Sequence, residues 1–97
     1  MPWIVVTTPA LVEPEQAAAL AVSVAAAAAD ALDLSTRDII VLVQAAVAAA
    51  GAGAYVVVSG RARTPDAEES LATAVKTIVA QALSVSPEHV GLTRSTT

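Results

Sequence analysis

A chain of 97 residues makes one domain, and with 56% apolar but only 14% charged residues it has too few charges to cover a monomer's surface, which points to an oligomer. The net charge of −4 argues against nucleic acid as a partner, because no basic stripe exists to neutralise phosphates. Without cysteine there is neither a disulfide framework nor a thiolate metal site, and His89, the lone histidine, makes a histidine-based zinc centre untenable.

The chain opens Met1-Pro2-Trp3-Ile4-Val5-Val6. Methionine aminopeptidase removes an initiator Met ahead of a small residue such as Pro, so the mature chain is expected to begin with Pro2. Its ring nitrogen then becomes a secondary amine, a group able to exchange a proton near neutral pH and so to serve as a general base. The β-branched and aromatic stretch behind it predicts a first strand over about Trp3 to Thr8, which would hold that amine rigidly. Pro9 breaks the ladder. Pro14-Glu15-Gln16 reads as a first helical turn, with Pro tolerated and acid favoured there. The helix continues to about Leu32, with Leu20, Val24 and Leu32 marking its larger face. Its alanine-rich run from Ala17 to Ala29 is short for a membrane span and is flanked by Glu13, Glu15 and Asp30, so a soluble helix, no membrane and a cytoplasmic location are expected.

Asp33-Leu34-Ser35-Thr36 ends that helix, and the apolar run Ile39-Ile40-Val41-Leu42-Val43 predicts a strand buried on both faces. The segment from Ala45 to Ala54, with Gly51 and Gly53, reads as a strand end plus a mobile loop. Tyr55 to Ser59 is a third strand. Thr64 fits an N-cap with Pro65 at the first helical position, opening a second helix to about Leu83 whose apolar stripe is Leu71, Val75, Ile78, Val79 and Ala82. Ser86-Pro87-Glu88 makes a turn into a short fourth strand, His89 to Thr93.

The order βαββαβ repeats within itself, over about 2–44 and 54–94. Trp3 to Thr7 lies over Tyr55 to Ser59 at an offset of 52, and Leu34 to Ile39 over Val85 to Val90 at 51, after one deletion. Each half is a βαβ unit, because parallel strands need a helical crossover. The predicted class is α+β, a four-stranded sheet with both helices on one face. The other face is left apolar, which again points to assembly.

Between the third strand and the second helix stands Arg61-Ala62-Arg63. Residues two apart in extended chain point to the same side, so both guanidiniums can serve one pocket, where they would fork onto a carboxylate and polarise a neighbouring carbonyl. Placed near Pro2 they would also disfavour its protonated form.

Met-Pro followed by an apolar strand, the doubled βαβ plan and the Ser86-Pro87-Glu88-His89-Val90 turn into a last strand together resemble the tautomerase superfamily, whose members include macrophage migration inhibitory factor and malonate semialdehyde decarboxylase. The resemblance implies a homotrimer around a central barrel of sheets, Pro2 as catalytic base or acid near a subunit boundary, a small carboxylate substrate, and no metal or organic cofactor. Arg61-Ala62-Arg63 resembles the arginine pair of malonate semialdehyde decarboxylase and of the cis-3-chloroacrylic acid dehalogenases. Asp38, one position displaced from that decarboxylase's aspartate, is a candidate helper. The chain departs from the 4-oxalocrotonate tautomerases where Pro9, Ala10, Leu11 and Ile40 replace their arginines, and from macrophage migration inhibitory factor where Gly91 and Thr93 replace its pocket Tyr and Asn. Tautomerisation of a small 2-oxo or enol acid is the leading expectation. Cofactor-free decarboxylation, hydration or dehalogenation of a three-carbon acid on the same scaffold, and a non-catalytic oligomeric binding module, are the alternatives.

Overall fold

The computed structural model describes residues 2–51 and 53–96. Strand β1 (Trp3–Thr8) leads into helix α1 (Pro14–Leu32), a single 3₁₀ turn (Thr36–Asp38) and strand β2 (Ile40–Ala45). The second half repeats this plan: β3 (Ala54–Gly60), α2 (Pro65–Leu83), a 3₁₀ turn (Pro87–His89) and β4 (Val90–Thr96). The sheet order is β2-β1-β3-β4, parallel within each half and antiparallel where β1 meets β3 at the centre. That reversal relates the halves by an approximate twofold axis.

Local chemistry explains the helix limits. Pro opens each helix at a position whose N–H would have no partner anyway. The Thr64 hydroxyl accepts the Ala67 N–H at 3.2 Å, while Glu13, at the start of α1, makes no such cap. Asp33 and Ser84 close the two helices in the left-handed conformation, their N–H groups returning to the last helical carbonyls.

Burial alternates along the inner strands. Ile4, Val6, Val56 and Val58 are fully buried under the helices, where they meet Leu20, Val24, Ala28 and Leu32 of α1 and Leu71, Val75, Val79 and Ala80 of α2. In alanine-rich α1 the short side chains of Ala28 and Ala29 are themselves part of the core. By length and composition α1 is apolar enough to cross a membrane, with a mean hydropathy of 1.3 over an 18-residue window, so the Ala17–Ala29 run understates it. Here Leu20, Val24 and Leu32 face the core, while Val22 lies exposed.

Two strands differ from expectation. β2 is not covered on both faces: it lies at the sheet edge, Leu42 is 51% exposed, and only its helix-facing side packs. Apolar sequence alone does not tell cover by the chain's own helices from cover by another copy. β4 begins after His89, which sits in the 3₁₀ turn, and runs on to Thr96 because β3 offers pairing along its whole length, from Ala54↔Val90 to Gly60↔Thr96.

Candidate functional site

Pro2 is buried at the head of β1. Its carbonyl accepts the Ile40 N–H at 3.0 Å, which ties it to β2. On the other side, the pairing Trp3↔Ser59 carries Gly60 up against it. A Cβ built on Gly60 would stand 3.3 Å from the Pro2 Cα and 3.9 Å from its nitrogen. Gly60 has φ +147°, a conformation that side-chain-bearing residues rarely adopt. A residue without a side chain therefore lets β3 end flush against the proline.

From Gly60 the chain passes directly into Arg61-Ala62-Arg63 before Thr64 caps α2. The Arg61 side chain is exposed. Arg63 is half-buried; its Nε is buried with no hydrogen-bond partner among the described residues, and its backbone N–H donates to Glu68 Oε2 at 3.0 Å. Because β1 and β2 run parallel and β3 runs against them, the start of β1, the approach to β2 and the exit from β3 share one end of the sheet. Pro2, Asp38 and the Arg61–Arg63 turn are thus brought to that end. Asp38 closes the 3₁₀ turn two residues ahead of Ile40, is exposed, and makes no ion pair among the described residues.

Arg94 has the most extensive set of side-chain bonds at this end. β4 turns Val90, Leu92 and Arg94 toward the helices, and the Arg94 Nε donates to Glu68 Oε1 at 2.7 Å. Its Nη1 donates to the carbonyls of Val58 (3.2 Å) and Gly60 (3.4 Å), and its Nη2 to the carbonyl of Arg61 (2.7 Å). The hydrogen bond from Arg94, followed by that from the Arg63 N–H, holds the Glu68 carboxyl below the ordinary glutamate value. Alternation along β4 predicts a salt bridge or solvent for Arg94, and the salt bridge is what forms. Glu68 carries no local signal, since its partner lies 26 residues away and meets it only once β4 is in register.

The outer face of the sheet carries Trp3, Leu42 and Tyr55, each about half exposed, and the Tyr55 and Thr93 hydroxyls are hydrogen-bonded to each other there. At the opposite end of the sheet from Pro2, a mainly apolar cavity of about 490 Å³ opens between Thr8, Pro9, Leu11, Val12, Leu83 and Val85. It lies where the approximate twofold would carry the Pro2 end, but Pro9 and Val12 stand there in place of Arg61 and Arg63. Among the described residues that line it there is no cation with which to grip an anion.

No family model matches the sequence, and no curated protein sequence matches it either. Solved structures do match. A native fused 4-OT superposes with a TM-score of 0.88 at 16% identity, covering 98% of this chain and 86% of that one. A member of the cis-3-chloroacrylic acid dehalogenase family gives 0.83 at 20% identity over 98% and 74% of the two chains. Macrophage migration inhibitory factor from Giardia lamblia gives 0.81 at 20% identity over 97% of each. The fold is that of the tautomerase superfamily.

Proposed function

We propose that the chain is a tautomerase-like enzyme in which Pro2, freed of Met1, moves a proton between oxygen and carbon of a small 2-oxo or enol carboxylic acid. The observation that carries this reading is the junction of Pro2 with Gly60: the buried head of β1 abuts the strand exit from which two arginines follow within three residues. In the forward direction the neutral amine takes the proton of the enol hydroxyl. The electron pair then collapses to the carbonyl, and the adjacent carbon receives the proton from the protonated amine, so the base is regenerated and atoms balance. Arg61 and Arg63 hold the substrate carboxylate by charge-assisted hydrogen bonds and favour the oxyanion that develops beside it. Around Pro2 and the two arginines, neighbouring copies in a homotrimer would supply the remaining walls of the site and would bury the apolar outer face.

A second reading draws on Asp38, which sits in the 3₁₀ turn that leads into β2 at the same end of the sheet. A carboxylate near Pro2 favours the protonated amine, which suits decarboxylation or hydration of a three-carbon acid rather than proton abstraction. Two measurements test the proposal together. Intact mass should show loss of Met1, and ketonisation of enol-phenylpyruvate should collapse in Pro2→Ala. Retained Met1, or equal rates in the two proteins, removes Pro2 from the chemistry.

A further inference from the structure

We infer that Arg94, acting through Glu68, is a positioning residue for the Arg61–Arg63 pair; the inference rests on the carboxylate-binding role proposed for those two arginines. Both backbone anchors of the Arg61-Ala62-Arg63 turn end on one ion pair. The Arg61 carbonyl accepts from Arg94 Nη2 at 2.7 Å, the Arg63 N–H donates to Glu68 Oε2 at 3.0 Å, and Glu68 Oε1 and Arg94 Nε close the circuit at 2.7 Å. The remaining Arg94 nitrogen fastens the carbonyls of Val58 and Gly60, the last stretch of β3 before the turn.

The turn itself belongs to no strand or helix, and among the described residues this pair supplies its backbone partners. Arg94 and Glu68 side chains are 18% and 27% exposed, and an apolar pair would fill that space without the cost of desolvating two charges. A planar fork accounts for what is built here, since one guanidinium satisfies acceptors from three directions at once. Two long side chains grip a carboxylate bidentately only if their Cα atoms stay fixed, and a displacement of an ångström disperses the grip. Each of the three Arg94 nitrogens bonds to the protein, which makes it the frame rather than a ligand.

The test uses the full chain and two readouts. Benzoate, a carboxylate that does not react, is titrated while the side-chain N–H signals of Arg61 and Arg63 are followed by NMR; phenylpyruvate turnover gives KM and kcat separately. Arg94→Met should weaken benzoate and raise KM roughly tenfold, the equivalent of one charge-assisted hydrogen bond, with kcat changed less than about threefold. Arg94→Lys should recover only part of this, because an ammonium cannot reproduce the fork. Glu68→Gln, which keeps the shape and most of the packing, should move the same readouts in the same direction by a smaller factor and serves if Arg94→Met does not fold. Accelerated exchange of the Arg63 amide will report that the turn has loosened. Unchanged benzoate affinity and KM in a folded variant with a loosened turn overturns the inference, as does benzoate that moves neither arginine. Wild-type protein that binds benzoate through both arginines yet turns nothing over ends the catalytic proposal and leaves the positioning role standing.

Discussion

Gly60 and Pro2 meet across the end of the β1–β3 ladder so closely that a methyl group on Gly60 would come to 3.3 Å from the Pro2 Cα. Gly60→Ala therefore carries two costs: strain at φ +147° and pressure on the residue proposed as base. The expected outcome is a loss of about 1–3 kcal/mol in denaturant unfolding, together with reduced kcat. Gly51→Ala is the matched control. It also has a positive φ, +85°, but nothing lies within 4 Å of its Cβ position. It should lose stability through strain while keeping full activity, so a parallel loss of kcat in both variants would mean that crowding of Pro2 is not the cause.

The two arginines should behave alike in stability and in binding. Arg61 is exposed, so Arg61→Ala should leave unfolding within about 0.5 kcal/mol of wild type. Arg63 buries an Nε with no partner among the described residues, and Arg63→Ala removes that unmet donor, which offsets the packing lost with its stem. Either change should raise KM for a carboxylate substrate by about tenfold to a hundredfold, from the loss of about 1.5–3 kcal/mol of charge-assisted hydrogen bonding. Steady-state kinetics on the two single variants and the double variant check this, with the double falling short of the product of the singles if both grip one carboxylate.

The helices were legible from local chemistry alone: Pro14 and Pro65 at the first position and the Thr64 hydroxyl mark starts that depend on a few neighbouring residues. Strand ends were less so, because pairing partners decide them. Thr96 extends β4 only because Gly60 lies opposite, and β2 runs past Val43 because Thr7 and Thr8 offer Gln44 and Ala45 a ladder. The Leu42 side reads as core in sequence and is bare in the single chain, since an apolar residue does not say whose surface it will meet. At the site, Pro2 and the arginines announced themselves by residue type. Gly60 and the Glu68–Arg94 pair did not, since each acquires meaning only when the strands are in register.

Acid should act through Glu68. Its folded-state pKa lies below the ordinary value of 4.5, with the Arg94 hydrogen bond as the largest cause. The stabilisation it brings is therefore fully present above the unfolded-state value and is lost as pH falls through the lowered, folded-state value. Wild type should exceed Glu68→Gln in stability near neutral pH, by an amount limited by partial exposure of the pair, and the gap should close on acidification below about pH 4.5. Thermal melts of both proteins across that range measure it. A gap independent of pH would mean that the carboxylate charge contributes nothing to the fold.

The outer face of the sheet supplies the assembly prediction. Trp3, Leu42 and Tyr55 present half-exposed apolar surface on one side, while Val41 and Val43, the neighbours of Leu42 along β2, pack toward the helices. Leu42 thus contributes little to the chain's own core, and Leu42→Glu should fold. In a trimer whose sheets meet through that face, however, each copy would bring an unpaired carboxylate into a dry contact, at a cost of several kcal/mol per ion. Sedimentation should then show the mass of one chain, 9.7 kDa, where wild type should show three times that mass. Val22→Glu is the control: Val22 is 70% exposed on α1, which packs on the sheet's other face, and should leave the assembly intact. A Leu42→Glu protein that remains trimeric, or a Val22→Glu protein that does not, would place the contact on the helices instead, and the apolar sheet face would need another occupant.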